Sequence, residues 1–333
     1  MKKTMSLVLQ YVVFLGLGIF LIWWSVRNLT ADEVGQLKSS LNNAHYLMVL
    51  PAVVMLLLSH YSRALRWKML MEPLGFQPSS TNAFFAVMLG YFFNLLVPRM
   101  GEVMKCTMLA RYEKTPVDKL IGTMVAERAV DVVCLLFVIG LTFLMQMDLA
   151  GIVFREEFLK IGVEPEDSGG LQRGLLMFVG VVATILFVAW MLRRFRHITF
   201  VVRLRNMARG VWQGLTSIRH IRNKAGFLFH TFFIWAMYLM SIRMGFYAMD
   251  AVSHLGIAPS FTILSVGSLA MILTQGGIGA YQIAVQKSLS LYAIPAVGGL
   301  AFGWLLWAFQ TVLVLVVGLS CLLLLPVINR KKS

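Results

Sequence analysis

Long apolar runs alternate with short polar or charged segments along the whole chain. Six runs approach or exceed the ~20 residues that a helix needs to cross a bilayer. They cover about residues 5–26, 45–67, 117–146, 174–192, 227–249 and 296–325. The pattern predicts an all-α, polytopic helical membrane protein with about six full transmembrane spans. We expect residues 1–333 to form one integral-membrane domain.

Two further apolar segments, 81–110 and 260–291, are interrupted by residues that break helices. The first meets Asn94, Pro98, Arg99, Gly101 and Glu102, and the second meets Gln275, Gly276, Gly277 and Gly279. Proline removes a backbone donor and glycine permits a tight turn. Broken backbone is tolerated at membrane depth only where protein or water covers it. We therefore predict two re-entrant hairpins, one in each half of the chain (1–147 and 174–325).

Charge placement predicts the orientation of the spans. The chain has 30 Lys and Arg against 15 Asp and Glu, and the positive residues flank apolar runs, as the positive-inside rule requires. The N-terminus, residues 193–224 and the C-terminus are therefore expected to be cytoplasmic, and the acidic segment 148–173 external. The two hairpins then enter from opposite sides, as in an inverted repeat. A bacterial inner membrane is the expected location.

Residues 193–224 carry nine Lys or Arg and no acidic residue. Apolar residues recur among them at helical spacing, which predicts an amphipathic helix on the anionic phospholipid of the inner leaflet. The net charge of +15 thus indicates a membrane surface and not nucleic acid.

Composition excludes several classes of protein. Hydrophobic residues make up 59% and charged residues 14%, whereas an ordinary soluble domain carries about 25% charged residues. The three cysteines, Cys106, Cys134 and Cys321, show no paired spacing, so neither a disulfide framework nor a metal site is expected. No cofactor is predicted.

Ionisable residues near the first break are candidates for a binding site. An ionised side chain at the bilayer centre costs at least ~2.5 kcal/mol, so such residues pair or line a water path. Glu127 and Asp131 share one helix face, with Arg128 beside them. Arg99 is the candidate phosphate ligand, because its guanidinium can bind a phosphate through two hydrogen bonds. The alternative is an internal ion pair, Arg99 to Glu127 or Arg128 to Glu102, and both interpretations stay open.

The second break starts a half-helix, residues 280–291. The N–H groups at a helix start favour an anion, whereas the alternative is close packing of small residues between helices. Arg63, Arg66 and Trp67, at the end of the span 45–67, are interpreted as anchors at the membrane interface, and the alternative is that they gather phosphate at the inner vestibule.

Three ordered motifs carry a resemblance to a known family. They are NLLVPRMGEVMKCTML, the Glu127-Arg128-x-x-Asp131 sequence and QGGIGAYQ, and they resemble the lysylphosphatidylglycerol synthase transmembrane-region family of flippase-like proteins. The resemblance implies a stand-alone flippase module without the fused aminoacyltransferase domain. One departure is Gln282, where the family often has an acidic residue.

The leading hypothesis is a lipid flippase that moves a phosphate-bearing lipid between leaflets, and not an enzyme. The predicted substrate-binding residues are Asn94, Pro98, Arg99, Gly101, Glu102, Glu127, Arg128, Asp131, Gln275, Gly276, Gly277, Gly279 and Gln282. One alternative is an integral-membrane transferase in which Glu127 and Asp131 act as acid and base. Another is an accessory subunit of a membrane glycosyltransferase, docked through residues 193–224. A homo-oligomer or a membrane-enzyme partner remains open.

Overall fold

The computed structural model describes residues 29–97, 100–146 and 221–330, together with residue 219 and isolated positions between 16 and 27. These residues contain no strand, so the all-α prediction is confirmed. In chain order the helices are α1 (Ala31–Asn42), α2 (Val49–Met71), α3 (Ser80–Leu96), α4 (Met100–Glu113), α5 (Val117–Met145), α6 (Lys224–Phe246), α7 (Asp250–Ser253), α8 (Ile257–Leu273), α9 (Ala280–Ser290) and α10 (Ala296–Ile328). Short 3₁₀ turns lie at Tyr46–Met48, Glu72–Leu74 and Gln275–Gly277.

Four helical segments in the described ranges are long and apolar enough to cross a membrane. They are Tyr46–Leu74, Val117–Met145, Lys224–Phe246 and Ala296–Ile328, and they correspond to four of the six predicted spans. The predicted span 174–192, the acidic segment 148–173 and nearly all of 5–26 and 193–224 lie outside the described residues. The total of six spans therefore stays a prediction.

The segment before the second span is more ordered than its polar sequence suggested. Residues 31–42 form α1, which begins at a capping box: Thr30 accepts a hydrogen bond from the Glu33 backbone, and the Glu33 carboxylate accepts one from the Thr30 backbone at 2.8 Å. This reciprocal pair satisfies two backbone donors that a helix start leaves free. The Thr-x-x-Glu spacing is visible in the sequence and could have predicted the helix.

The first broken segment forms an antiparallel helix pair, α3 and α4. Helix α3 ends at Leu96 and α4 begins at Met100. Next to this break the Gly101 N–H donates to Asn94 Oδ1 at 2.8 Å. The two backbones approach so closely that a Cβ added to Gly101 would lie 1.8 Å from the Gly90 carbonyl oxygen. Glycine at position 101 therefore permits the contact that closes the pair.

The second broken segment forms the pair α8 and α9, joined through the turn Gln275–Gly277. Gly276, Gly277 and Gly279 all have positive φ, at 61°, 74° and 76°, a conformation that side chains with a Cβ rarely adopt. Trp307 of α10 donates its indole N–H to the Gly276 carbonyl at 2.7 Å. The glycines therefore supply the reversal that the sequence pattern predicted here.

The two pairs open at opposite ends of the helix bundle. At one end, both termini of the first pair meet the end of α10. Asn82 of α3 donates to Glu113 of α4 at 2.5 Å. The side-chain amides of Asn82 and Asn329 form two hydrogen bonds with each other, each of 2.9 Å. The second pair is tied in the same way to the far end of α5. There Gln146 donates to the Ala258 carbonyl at 3.0 Å and accepts from Tyr292 at 2.5 Å. Two oppositely directed hairpins are therefore present, as predicted.

The closed ends of the two pairs meet inside the bundle. A Cβ built on Gly276 would lie 3.1 Å from Leu95 Cδ2, in the last turn of α3. Helix α10 packs along both pairs, because Gly318 faces Phe92 of α3 and Gly303 faces the backbone of Gln282 in α9. Small residues let membrane helices approach this closely.

Candidate functional site

Two arginines of α2 face two carboxylates of α5 in the interior. Arg63 Nη1 donates to Glu127 Oε1 at 3.1 Å and also to Asp131 Oδ2, and Arg66 Nη2 donates to Asp131 Oδ1 at 2.6 Å. Arg63, Arg66 and Glu127 are 6%, 0% and 2% exposed. The i, i+4 spacing of the carboxylates puts both on one helix face. These contacts join α2 to α5 through charge-assisted hydrogen bonds.

A third cation comes from the first hairpin. Lys105 of α4 donates its ammonium to Glu127 Oε2 at 2.5 Å and lies 4.0 Å from the centre of the Trp67 ring. Trp67 is itself fixed by an indole hydrogen bond to Thr123 of α5 at 3.0 Å. The hairpin is therefore connected through Lys105 to both α2 and α5.

The buried charges do not cancel. We define the buried charge cluster as Arg63, Arg66, Lys105, Glu127 and Asp131, which has three cations and two carboxylates and a net charge of +1. An uncompensated charge is expensive in a low-dielectric interior. The cluster is therefore suited to a further negative charge.

Hydrogen-bond donors in the cluster are also left over. Among the described residues, Arg63 Nε and Arg66 Nε are buried and have no hydrogen-bond partner. A buried donor without a partner costs about 1–3 kcal/mol, and more when it is charged. An incoming oxyanion or a water molecule can accept hydrogen bonds from these unused N–H groups.

A small cavity lies between the first hairpin and α5, next to the cluster. Its lining includes five of the predicted residues: Asn94, Gly101, Glu102, Glu127 and Arg128. Tyr91, Arg63 and Lys105 also line it. Its volume is about 20 Å³, which is room for about one water molecule. The structure therefore brings together the predicted residues of the hairpin and of the α5 helix.

Glu102 and Arg128 form an ion pair at the edge of this cavity. Arg128 Nε lies 3.5 Å from Glu102 Oε1, and the two side chains are 48% and 39% exposed. An exposed ion pair contributes about 0–1 kcal/mol. The Arg128–Glu102 alternative from the sequence is thus realised, but as a weak contact that can open.

The remaining predicted residues have different outcomes. Pro98 and Arg99 lie outside the described residues, as does the side chain of Gln275, so the phosphate-ligand role of Arg99 stays a prediction. Gly276 contacts the first hairpin through Leu95. Gln282 is 0% exposed, and neither its amide nitrogen nor its amide oxygen has a partner among the described residues. It packs against Gly303 of α10.

The interpretation of Arg63, Arg66 and Trp67 as interface anchors is wrong. Helix α2 continues to Met71, so these residues lie a turn or more inside the helix, and Arg66 and Trp67 are fully buried. Lys105, which the sequence analysis does not place among the site residues, is likewise buried. The sequence did contain a clue, since two arginines at i, i+3 in an apolar span require acidic partners and Glu127 and Asp131 have matching spacing.

These features define a class: a polytopic α-helical membrane protein whose two broken helix pairs meet beside a buried charge cluster. The chain belongs to the lysylphosphatidylglycerol synthase TM region family, whose model matches residues 7–318. The family places the chain among membrane proteins of lipid metabolism or transport. The resemblance noted in the sequence is thereby confirmed.

One curated protein is similar to part of this chain. The chain is 26% identical over 139 residues to the UPF0104 membrane protein MJ1595 of Methanocaldococcus jannaschii, which is 41% of this chain and 38% of that protein's length. The match thus spans well under half of either protein. No solved structure matches the chain.

Proposed function

We propose that this protein is a flippase that moves a lipid with an anionic, phosphate-bearing headgroup between leaflets. The observation that carries the proposal is the buried charge cluster, whose net charge of +1 and unpartnered guanidinium donors are complementary to a phosphate. A phosphodiester carries one negative charge and acceptor oxygens for those donors. Membership in a family of lipid metabolism or transport supports the same conclusion.

The two hairpins supply a route. Discontinuous helices that meet near mid-membrane from opposite sides are typical of transporter substrate sites. The cavity of about 20 Å³ is too small for a phosphate group, so binding requires the α3–α4 hairpin to move away from α5. The exposed Glu102–Arg128 pair is weak enough to allow this movement.

Orientation and partners belong to the same proposal. The protein lies in the inner membrane of a bacterial cell. Its cytoplasmic segments are the N-terminus, residues 193–224 and the C-terminus. Residues 193–224 bind anionic lipid. Cysteines introduced at the exposed positions Lys38 and Gln77, in a chain without native cysteines, test the orientation. A membrane-impermeant reagent should label position 38 in intact cells and leave position 77 unlabelled. The reverse pattern contradicts the orientation.

Vesicles containing the purified protein test the activity. Fluorescently labelled phosphatidylglycerol in the inner leaflet becomes accessible to an external quencher only when it crosses the membrane. We expect protein-containing vesicles to lose the protected fraction much faster than protein-free vesicles, and a neutral glucosylceramide to cross much more slowly. Equal rates with and without protein contradict the proposal.

The variant Lys105→Met tests whether the buried charge cluster takes part in transport. It removes the uncompensated charge and should slow phosphatidylglycerol movement at least about tenfold, since a hydrogen bond to a charged group contributes about 1.5–3 kcal/mol. Gly140→Ala, on the exposed face of α5, is the matched variant and should keep the native rate.

A further inference from the structure

A histidine without hydrogen-bond partners lies beside the buried charge cluster. His60 of α2 is 3% exposed, and among the described residues neither Nδ1 nor Nε2 has a partner. A neutral imidazole always carries one N–H donor and one acceptor nitrogen. Buried polar groups are almost always paired, so an orphaned imidazole at mid-span requires a reason.

Two tyrosine rings hold this imidazole in place. The His60 ring centre lies 4.7 Å from that of Tyr91 on α3 and 6.3 Å from that of Tyr238 on α6. Arg63 follows one turn later on α2 and donates to Tyr238 at 3.4 Å. Among the described residues, the charged and titratable groups that face His60 are therefore Arg63, Tyr91 and Tyr238. Glu127 and Asp131 are joined to it through Arg63.

Arg63 carries the full charge nearest to His60 and belongs to the buried charge cluster. The protonation of His60 therefore depends on what the cluster binds. The cluster is net positive without a ligand, and a second positive charge beside Arg63 is then disfavoured. A bound phosphate cancels that excess and so removes the repulsion from the cluster, while the cost of burying a charge on His60 remains. Because coupling between two sites is reciprocal, a proton on His60 strengthens anion binding by the same factor.

We infer that His60 is a proton-binding site that couples proton uptake to binding of the phosphate headgroup in the buried charge cluster. This inference rests on the proposed function and deepens it by naming the coupling ion. The proton comes from solvent and forms an N–H bond on the unprotonated ring nitrogen, with no other bond changed. Histidine suits the role because its ring can be neutral or carry one positive charge, and a nearby anion favours the charged form.

The second histidine of this region serves as a matched control. His230 of α6 lies next to the same helix, but its Nδ1 already forms a 2.8 Å hydrogen bond with Ser62 Oγ. It is also less buried than His60. A proton-binding role should therefore be lost in His60→Gln and kept in His230→Gln.

The probe for the test is dihexanoyl phosphatidylglycerol, whose phosphodiester keeps one negative charge throughout the working pH range. Its apparent affinity for the full chain in detergent is measured by thermal shift at a series of pH values. Proton uptake on binding is measured in weak buffer with an indicator dye. For the native chain we expect affinity to fall with rising pH, by up to about tenfold per pH unit for one linked proton, with net proton uptake. His230→Gln should behave in the same way.

His60→Gln should bind with a pH-independent affinity and take up no proton. His60→Phe, which keeps an aromatic ring between the two tyrosines, gives the same test if the glutamine variant does not fold. Binding by the native chain without proton uptake, or unchanged uptake in either His60 variant, overturns the proton site and leaves the proposed function standing. No binding by the native chain at any pH overturns both.

Discussion

Lys105 Nζ lies 2.5 Å from Glu127 Oε2 and 4.0 Å from the centre of the Trp67 ring. The ammonium is held between a carboxylate and an aromatic face, both of which favour the charged form. Lys105 is also the cation of the cluster that comes from the hairpin, whereas the two arginines come from α2. Removal of this one side chain therefore changes the charge of the site without breaking the link between α2 and α5.

Lys105→Met should be tolerated by the fold and should impair anion binding. Methionine has a similar length and packs well against an aromatic ring. The remaining two arginines and two carboxylates balance, and Glu127 keeps its 3.1 Å bond to Arg63. We expect the free energy of unfolding to change by less than about 1.5 kcal/mol. Thermal unfolding in detergent and phosphatidylglycerol binding check the two parts.

Glu127→Gln should destabilise the fold, in contrast to Lys105→Met. It leaves three buried cations facing Asp131 alone, and a stranded buried charge costs about 3–5 kcal/mol. The double variant Lys105→Met/Glu127→Gln should be more stable than the sum of the single changes implies, because the two groups are in contact. Additive unfolding free energies in this double-mutant cycle contradict the pairing.

Asp131→Asn should destabilise the protein far more than a matched change on the same helix. Asp131 accepts from Arg66 at 2.6 Å and from Arg63, and its removal leaves excess positive charge in the interior. We expect a loss of about 3–5 kcal/mol. Asp118→Asn is the control, since this residue is exposed in the first turn of α5 and forms no ion pair with another described residue. Its interaction with the helix dipole contributes about 0.3–1 kcal/mol. Similar melting temperatures for the two variants contradict the assignment.

The sequence predicted the shared face of Glu127 and Asp131 but not their partners. Their i, i+4 spacing is a local property of one helix, so it could be derived from the residues alone. The partners Arg63 and Arg66 lie more than 60 positions away, and no local pattern indicates which way α2 is rotated. Charge rules added to the error, because an arginine at a helix end and one a turn deeper look alike in the sequence.

The hairpins were predictable for a related reason. Proline, glycine and charge at the break between Leu96 and Met100, and three glycines near Gly277, are local signals of interrupted helices. Their opposite directions followed from the positive residues flanking them. The contact of Leu95 with Gly276 could not be predicted, since side-chain packing between distant segments has no signature in one sequence.

Gly101→Ala should prevent the first hairpin from closing. The new Cβ would lie 1.8 Å from the Gly90 carbonyl oxygen, a backbone atom that moves only if α3 and α4 separate. We expect little folded protein and a strongly lowered melting temperature. The control Gly140→Ala adds its methyl where, apart from its own helix, no atom of the described residues lies within 4 Å. Alanine is favoured over glycine in a helix by about 0.8–1 kcal/mol. A Gly101→Ala protein with native stability contradicts the close approach.

Gln282→Met should stabilise the fold and slow transport. Gln282 and Gln286 are one turn apart on α9, and their backbones contact Gly303 and Gly299 of α10 in the same way. They differ in their amides, since Gln286 donates to the Ala296 carbonyl at 3.2 Å while the fully buried Gln282 amide has no partner among the described residues.

Methionine nearly conserves the volume of glutamine, so Gln282→Met removes an unpaired buried amide, which costs about 1–3 kcal/mol, and loses no hydrogen bond. The melting temperature should therefore rise. Gln286→Met gives up one hydrogen bond and should lower stability by about 0.5–1.5 kcal/mol. If the Gln282 amide binds the headgroup during transport, phosphatidylglycerol transport in vesicles should fall in the stabilised variant. The amide would then contribute to transport while it lowers the stability of the fold. Higher stability with an unchanged transport rate would assign Gln282 to packing and remove it from the substrate-binding residues.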